Sequence, residues 1–146
     1  MMKLSSPAFG NLDKIPEKFT CDGENISPPL EISDVPEGAQ SLALVLEDPD
    51  APRGTFVHWV VFNIDPMTTR VMQGEAPADT VESVTSTGKR GYFGPCPPSG
   101  THRYFFKLYA LNTALDLPTS ITADSLLKRV KQHILEETEL VGLYTR

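Results

Sequence analysis

Proline is the feature that most restricts how this chain can fold. Thirteen of its 146 residues are proline, about 9% against a typical 5%, and they separate short apolar runs. Because proline fixes φ and lacks a backbone N–H, a chain interrupted this often is unlike a bundle of long helices. Short apolar runs joined by shaped turns are typical of strands. The sequence therefore predicts a mostly β fold.

Four apolar runs predict the main strands, because they are rich in β-branched and aromatic residues. Two of them, Leu42–Leu46 and Phe56–Phe62, are apolar on both faces and are expected in the middle of the domain. The other expected strands are Arg103–Leu111, Glu139–Tyr144 and, more weakly, Leu30–Ser33 and Glu82–Ser86.

One segment, 122–137, has a helical pattern. Thr122 can serve as the N-cap and Asp124 favours the positive first turn. Apolar residues then recur at helical spacing, namely Leu126, Leu127, Val130, Ile134 and Leu135. We expect a helix of about four turns whose apolar stripe packs on the large sheet.

Charge and hydropathy exclude several classes of protein. The chain has 13 Lys+Arg against 19 Asp+Glu and no basic stripe, so no nucleic-acid partner is expected. Its longest apolar stretch, Phe56–Phe62, is far shorter than the ~20 residues of a membrane helix, so no membrane span is expected. After Lys3 and Leu4 the chain continues with Ser5, Ser6 and Pro7 and has no apolar segment, so no secretory leader is expected and the cytoplasm is the predicted compartment.

The two cysteines, Cys21 and Cys96, lack a C-x-x-C spacing. Thiols of cytoplasmic proteins stay reduced. We therefore expect both to be unpaired, with a disulfide as the alternative.

Two candidate sites lie on the central strands. Asp48 and Asp50 flank a proline directly after Leu42–Leu46. An Asx-Pro turn is the structural interpretation, and metal ligands or an acid/base pair are the functional ones. His58 lies in an otherwise apolar strand, where an imidazole N–H needs a partner, and Asp48 or Asp50 is the expected acceptor.

The most distinctive segment runs from Gly91 to Tyr104 and holds three glycines and three prolines. Such a loop loses little conformational freedom, and its glycine N–H groups can approach a ligand closely. His102 and Tyr104 project to one face of the following strand and Arg103 to the other. A rigid connector with His102 on the surface is the alternative interpretation.

Together these residues predict a pocket for an anion. Protonated His58 and His102 and the hydroxyl of Tyr104 would give an anion three directed donors. Asp48 would orient a histidine or accept the ammonium of a zwitterionic head group.

Three motifs, taken in their order along the chain, resemble those of the phosphatidylethanolamine-binding protein family. They are Asp48-Pro49-Asp50-Ala51-Pro52, then His58, then Gly94-Pro95 through Gly100 and His102-Arg103-Tyr104. The runs 6–9, 21–30 and 140–144 are similar to its bacterial and archaeal, Raf-kinase-inhibitor-like branch. The resemblance covers essentially the whole chain.

The resemblance implies a large antiparallel sheet packed with a smaller second sheet and one or two peripheral helices, in a single domain over 1–146. It implies a non-catalytic protein without cofactor or metal, whose ligand is a phosphate-like anion or phospholipid head group and which can also act through a protein partner. The implied pocket residues are Asp48, His58, Gly94, Pro95, His102 and Tyr104, with Asp50 and Pro52 supporting the wall.

The chain differs from animal members of that family at two points. It ends soon after the last expected strand, without their C-terminal helix, and a single histidine precedes Trp59 where they have a pair. An open pocket edge would leave apolar surface for a second subunit, so a homodimer is expected.

Two other function classes remain open from the sequence. One is an interaction protein that resembles a protease or kinase inhibitor and binds through an exposed loop. The other is a metal-dependent hydrolase with Asp48, Asp50, His58 and His102 as ligands.

Overall fold

The structure, a computed structural model, describes all 146 residues. It has eight strands, one α-helix and a short 3-10 turn at Glu17–Phe19. The strands are β1 (Lys3–Ser5), β2 (Leu30–Ser33), β3 (Ser41–Asp48), β4 (Phe56–Ile64), β5 (Arg70–Val71), β6 (Val81–Glu82), β7 (Thr101–Leu111) and β8 (Ile134–Thr145), and the helix is α1 (Ala123–Val130).

The strands form two antiparallel sheets. The larger has the order β6-β4-β3-β7-β8, and the smaller has the order β1-β2-β5. This confirms the expectation of a mostly β fold with a large antiparallel sheet, a smaller second sheet and a peripheral helix. Since β3 lies between β4 and β7, its polar backbone groups are paired on both sides.

The larger sheet is covered on both faces, which explains the unbroken apolar run Leu42–Leu46 in β3. Leu42, Leu44 and Leu46 face a core cluster shared with the smaller sheet. Ala43 and Val45 face a second cluster formed with α1. Because side chains alternate along a strand, burial of both faces requires an unbroken apolar run.

The outer edge of β8 is partly closed by a segment near the start of the chain. The N–H of Leu12 donates to the carbonyl of Val141 at 2.6 Å, and the N–H of Ile15 donates to that of Leu143 at 2.7 Å. Val141 also donates to the side chain of Asn11. Residues 11–15 thus satisfy backbone groups that an edge strand would leave free.

The helix is shorter than its sequence pattern predicts. Thr122 caps it as expected, with Oγ1 accepting from the N–H of Ser125 at 3.3 Å, but it ends at Val130. The predicted continuation to Glu137 is wrong, because Ile134 pairs with Leu111 and begins β8. The apolar pair at 134 and 135 fits a helix or a strand, and the long partner strand β7 decides the outcome.

Two other strand predictions need comment. Of the predicted strand Glu82–Ser86, only Glu82 lies in a strand, the two-residue β6, and Val84 makes an isolated bridge to Arg90. Leu30–Ser33 is a strand as predicted.

With eight residues, α1 is too short to cross a bilayer, and no other helix is long and apolar enough to do so.

The prediction that both cysteines are unpaired is wrong. Cys21 and Cys96, 75 residues apart in sequence, form a disulfide with their Cα atoms 5.4 Å apart. The N–H of Cys21 also donates to the carbonyl of Pro95 at 3.1 Å. The fold thus brings two distant segments side by side, which the spacing of the cysteines cannot reveal.

Candidate functional site

A cavity of about 210 Å³ opens at the end of the larger sheet where β3 ends and β4 and β7 begin. The pairing of Asp48 with Phe56 places the first two of these strand ends together. Its walls are mostly apolar, with a few polar groups. The lining residues are Ala51, Pro52, Phe56, Phe93, Pro97 and Pro98, together with Asp48, His58, Cys96, His102 and Tyr104.

Asp48, the last residue of β3, has both carboxylate oxygens engaged. Its Oδ2 lies 2.7 Å from Nδ1 of His102, and its Oδ1 accepts the N–H of Asp50 at 2.8 Å. Asp48 and His102 are only 3% and 8% exposed. The carboxylate therefore closes the Asx turn and also orients an imidazole, so the structural and functional interpretations of Asp48 both hold. Nε2 of His102 has no partner within the protein.

His58 binds neither of the expected carboxylates. Its Nδ1 lies 2.6 Å from the carbonyl oxygen of Phe93, and since a carbonyl can only accept, Nδ1 carries the proton. The prediction that Asp48 or Asp50 accepts this bond is wrong, because the 91–100 loop lies against β4 and brings the Phe93 carbonyl to the ring. Burial lowers the pKa of His58, an effect that the Phe93 carbonyl and the charge of Asp48 only partly oppose. The ring is thus neutral at pH 7, with the lone pair of Nε2 left for a ligand.

Tyr104 supplies the third ring of the cavity. The residue is fully buried, and its hydroxyl makes no hydrogen bond of good geometry, although the Asp48 carboxylate and the Cys96 backbone lie near enough to affect its pKa. Burial raises the pKa of Tyr104, and the negative charge of Asp48 adds to this effect. The hydroxyl therefore keeps its proton and can donate it in a hydrogen bond. The Tyr104 ring centroid is 5.4 Å from that of His58 and 6.4 Å from that of His102.

The structure thus brings His58, His102, Tyr104 and Asp48 together in one cavity, as their pattern in the sequence predicts. Pro52 lies in its wall. Asp50 does not line the cavity and instead faces Arg103, from which it accepts three hydrogen bonds at 2.9 Å. The bonds from the Arg103 side chain and backbone lower the pKa of Asp50 to about 2.

Gly94 and Pro95 do not line the cavity; their backbone groups contact Asn25 and Cys21 instead. The N–H of Gly94 donates to Oδ1 of Asn25 at 2.8 Å, and the carbonyl of Pro95 accepts from Cys21. A Cβ at position 94 would meet the carbonyl oxygen of Phe19 and Oδ1 of Asn25. The predicted role of the Gly94 N–H as a ligand donor is therefore wrong, because this N–H already has a partner.

The segment Phe19–Asn25 supports the 91–100 loop, a role that no pattern in the sequence indicates. It holds the loop through Asn25, through Cys21 and through the carbonyl of Phe19, which accepts from the hydroxyl of Tyr92 at 2.6 Å. Asn25 has a φ of +57°, a conformation in which asparagine is enriched. That signal marks a turn, but it does not identify the loop that the turn contacts.

Other clefts on the surface lack such convergent groups. A larger groove, of about 790 Å³, runs past Thr80, Lys89 and Ser120 and has almost entirely polar, open walls. Nowhere in the chain do three or more His, Cys, Asp or Glu side chains cluster in a way that could hold a metal ion. Of the ligands suggested for a hydrolase, Asp50 is turned towards Arg103 and Asp48 is bonded to His102.

Comparison with known sequences places these motifs in a family. A family model described as phosphatidylethanolamine-binding protein matches residues 5–145. A protein of Methanothermobacter thermautotrophicus, named UPF0098 protein, is 48% identical over 150 residues that cover 99% of each chain. A protein of the same name from Chlamydia pneumoniae is 45% identical over 150 residues, again with 99% of each chain covered.

Solved structures share the whole fold. A phosphatidylethanolamine-binding protein homologue from Chlamydia trachomatis is 40% identical and superimposes with a TM-score of 0.95, covering 99% of this chain and 97% of the other. YbcL of Escherichia coli, described as a member of the mammalian family, is 27% identical with a TM-score of 0.93, covering 99% and 98% of the two chains. This chain therefore belongs to the phosphatidylethanolamine-binding protein family.

Proposed function

We propose that the protein binds a small phosphate-type anion in the cavity of His58, His102 and Tyr104 and does not transform it. The observation that carries the proposal is the hydroxyl of Tyr104, which is fully buried, lines the cavity and makes no hydrogen bond of good geometry within the protein. A buried polar group without a hydrogen bond costs about 1–3 kcal/mol. An anionic oxygen in the cavity would remove that cost by accepting this bond.

The two imidazoles complete the recognition of an anion. Nδ1 of His102 is held by Asp48 and Nδ1 of His58 by the Phe93 carbonyl, so the rings are fixed and only Nε2 remains for a ligand. Neutral His58 must take up a proton before it can donate to an anion. The buried charge of Asp48 supports that uptake, and we expect the ligand and a proton to bind together.

The size and walls of the cavity limit the remainder of the ligand. A volume of about 210 Å³ holds a phosphate and a short organic group. Phe56, Phe93 and Pro97 favour an apolar surface next to the anion. Phosphate monoesters and phospholipid head groups share this chemistry. Cys96 is bonded to Cys21, so it offers no thiolate that could attack the phosphorus.

Calorimetric titration with inorganic phosphate and phosphoethanolamine tests the proposal. For inorganic phosphate we expect a Kd of about 1 mM, since a few charge-assisted bonds must offset the cost of immobilising the anion. Phosphoethanolamine should bind more tightly. Vesicles containing phosphatidylethanolamine then test whether a lipid competes with the soluble ester.

The decisive variant is Tyr104→Phe. It removes a hydroxyl that makes no hydrogen bond of good geometry in the protein, so the melting temperature should change little. Affinity should fall by about tenfold, the value of one hydrogen bond to a charged group. Tyr144→Phe is the matched control, since its hydroxyl bonds to Asp22 at 2.7 Å. It should lower stability and leave affinity unchanged, and the opposite pattern would refute the proposal.

A further inference from the structure

The Cys21–Cys96 disulfide forms part of the cavity wall. Cys96 lines the cavity, Cys21 belongs to the supporting segment, and both residues are partly exposed to solvent. The cross-link lies three residues along the chain from Phe93, whose carbonyl holds His58. A change at the disulfide can therefore reach a group that orients a ligand.

The disulfide is the main attachment of residues 96–99. The backbone of the loop is bonded on one side through Gly94 and Pro95, to Asn25 and Cys21. On the other side Gly100 exchanges two hydrogen bonds with the backbone of Arg146. Between these anchors residues 96–99 make no backbone–backbone hydrogen bond with the rest of the protein. Without the cross-link, backbone hydrogen bonds would hold this stretch at its two ends only, and between them it would depend on the packing of the buried Pro97.

A cation lies against the two sulfur atoms. Nη1 of Arg146 is 3.3 Å from Sγ of Cys96 and 3.9 Å from Sγ of Cys21. The guanidinium is itself oriented by Asp22, with 3.4 Å between Nε and Oδ1. A nearby positive charge stabilises a thiolate and makes it a better leaving group. The shorter distance favours Cys96 as the sulfur that leaves, so attack is directed to Cys21.

From this geometry we infer that the disulfide is a reducible site for a dithiol reductant and that its reduction weakens ligand binding in the cavity. The second half of this inference rests on the proposed function. A thiolate of the reductant attacks Sγ of Cys21, the Cys21–Cys96 bond breaks, and the Cys96 thiolate takes up a proton. The second thiol of the reductant then attacks the mixed disulfide, releasing Cys21 as a thiol. Two electrons pass to the protein, and the reductant leaves as a disulfide.

Reduction alters the cavity by freeing residues 96–99. When a ligand binds the reduced protein, Cys96, Pro97 and Pro98 must be ordered again in the wall. Fixing backbone residues opposes binding, and their proline content keeps that cost small. We expect affinity to fall by about tenfold on reduction, equivalent to ordering roughly one residue.

The test compares the oxidised and dithiothreitol-reduced forms of the whole wild-type protein. Amide hydrogen exchange at Cys21 and Gly94 reports on the loop anchors without any ligand, and exchange should be faster after reduction. Phosphoethanolamine titration then reports on the cavity, with the expected tenfold weaker binding. The double variant Cys21→Ser with Cys96→Ser should bind like the reduced protein whether or not dithiothreitol is present. Because both forms of the wild-type chain are measured, the result does not depend on the variant folding.

The outcomes separate the two proposals. Faster exchange without phosphoethanolamine binding in either form would refute the proposed function and support the reducible site. Equal exchange and equal affinity in both forms would overturn the inference. A reductant with its second cysteine replaced by serine should be trapped on Cys21, and peptide mapping that finds it on Cys96 would overturn the assigned direction of attack.

Discussion

Nδ1 of His102 lies 2.7 Å from Oδ2 of Asp48, although the two residues are 54 positions apart. The pair joins the end of β3 to the start of β7 at the bottom of the cavity. Since the second oxygen of Asp48 closes the turn to Asp50, one carboxylate fixes both a loop and an imidazole. Local backbone geometry and ligand recognition therefore depend on the same side chain.

Asp48→Asn should destabilise the fold. The asparagine would lose the charge-assisted bond to His102, because its NH₂ group can only donate to Nδ1 after that ring has moved its proton to Nε2. We expect the free energy of unfolding in urea to fall by about 2 kcal/mol. Asp50→Asn is the control, because its partner Arg103 is exposed, and it should cost less. Equal losses would contradict the buried role of Asp48.

The Asp50–Arg103 pair makes a separate contribution to stability, which is lost at acid pH. Hydrogen bonds from Arg103 lower the pKa of Asp50 from 3.8 to about 2. A lowered carboxyl pKa stabilises the fold above the unfolded pKa, and this stability is lost as the pH falls from 3.8 through about 2. The unfolding free energy of the wild type should therefore decline more steeply between pH 4 and 2 than that of Asp50→Asn. Parallel declines would show that the exposed pair contributes nothing.

Binding of an anion should strengthen as the pH falls from 7.5 to 5.5. The pKa of His58 is lowered by burial, so proton uptake must accompany binding. Dimethyl phosphate is a suitable ligand because its single charge is constant over this range. We expect affinity to rise by up to about tenfold per pH unit. In His58→Gln the dependence on pH should be shallower than in the wild type, and an unchanged slope in this variant would assign the proton to another group.

Gly94→Ala should disturb the cavity from behind. The new Cβ would collide with the carbonyl oxygen of Phe19 and come within 2.6 Å of Oδ1 of Asn25. The backbone cannot move away without shifting Phe93, which holds His58. We expect a loss of stability of about 2 kcal/mol or more and weaker phosphoethanolamine binding. Gly54→Ala is the control, since its φ of +101° is strained for alanine but its surroundings are open.

Much of the fold can be predicted from periodicity alone. The unbroken apolar runs of β3 and β4 require cover on both faces, and the structure provides it with the smaller sheet and α1. The same two-residue period places His102 and Tyr104 on one side of β7, where both line the cavity. These predictions succeed because the information lies within a few neighbouring residues.

The errors concern contacts between distant segments. Ile134 and Leu135 suit a helix or a strand, and the eleven-residue partner β7 selects the strand. The acceptor of His58 is a backbone carbonyl, which every residue has, so no side-chain pattern identifies Phe93. The Cys21–Cys96 bond likewise depends on a turn at Asn25 meeting the loop at Gly94. Such pairings follow from the assembled fold.

The segment 11–15 that lies along β8 also has a consequence for synthesis. Asn11 and Val141 are 130 positions apart, so the ribosome makes the cover long before it makes the strand that needs covering. During translation the backbone of residues 11–15 stays unpaired until nearly the entire sheet has been synthesised. Closing such distant contacts is slow, and a nascent chain with open strand edges is prone to aggregate. The completed edge is therefore expected to be among the last parts of the molecule to become protected.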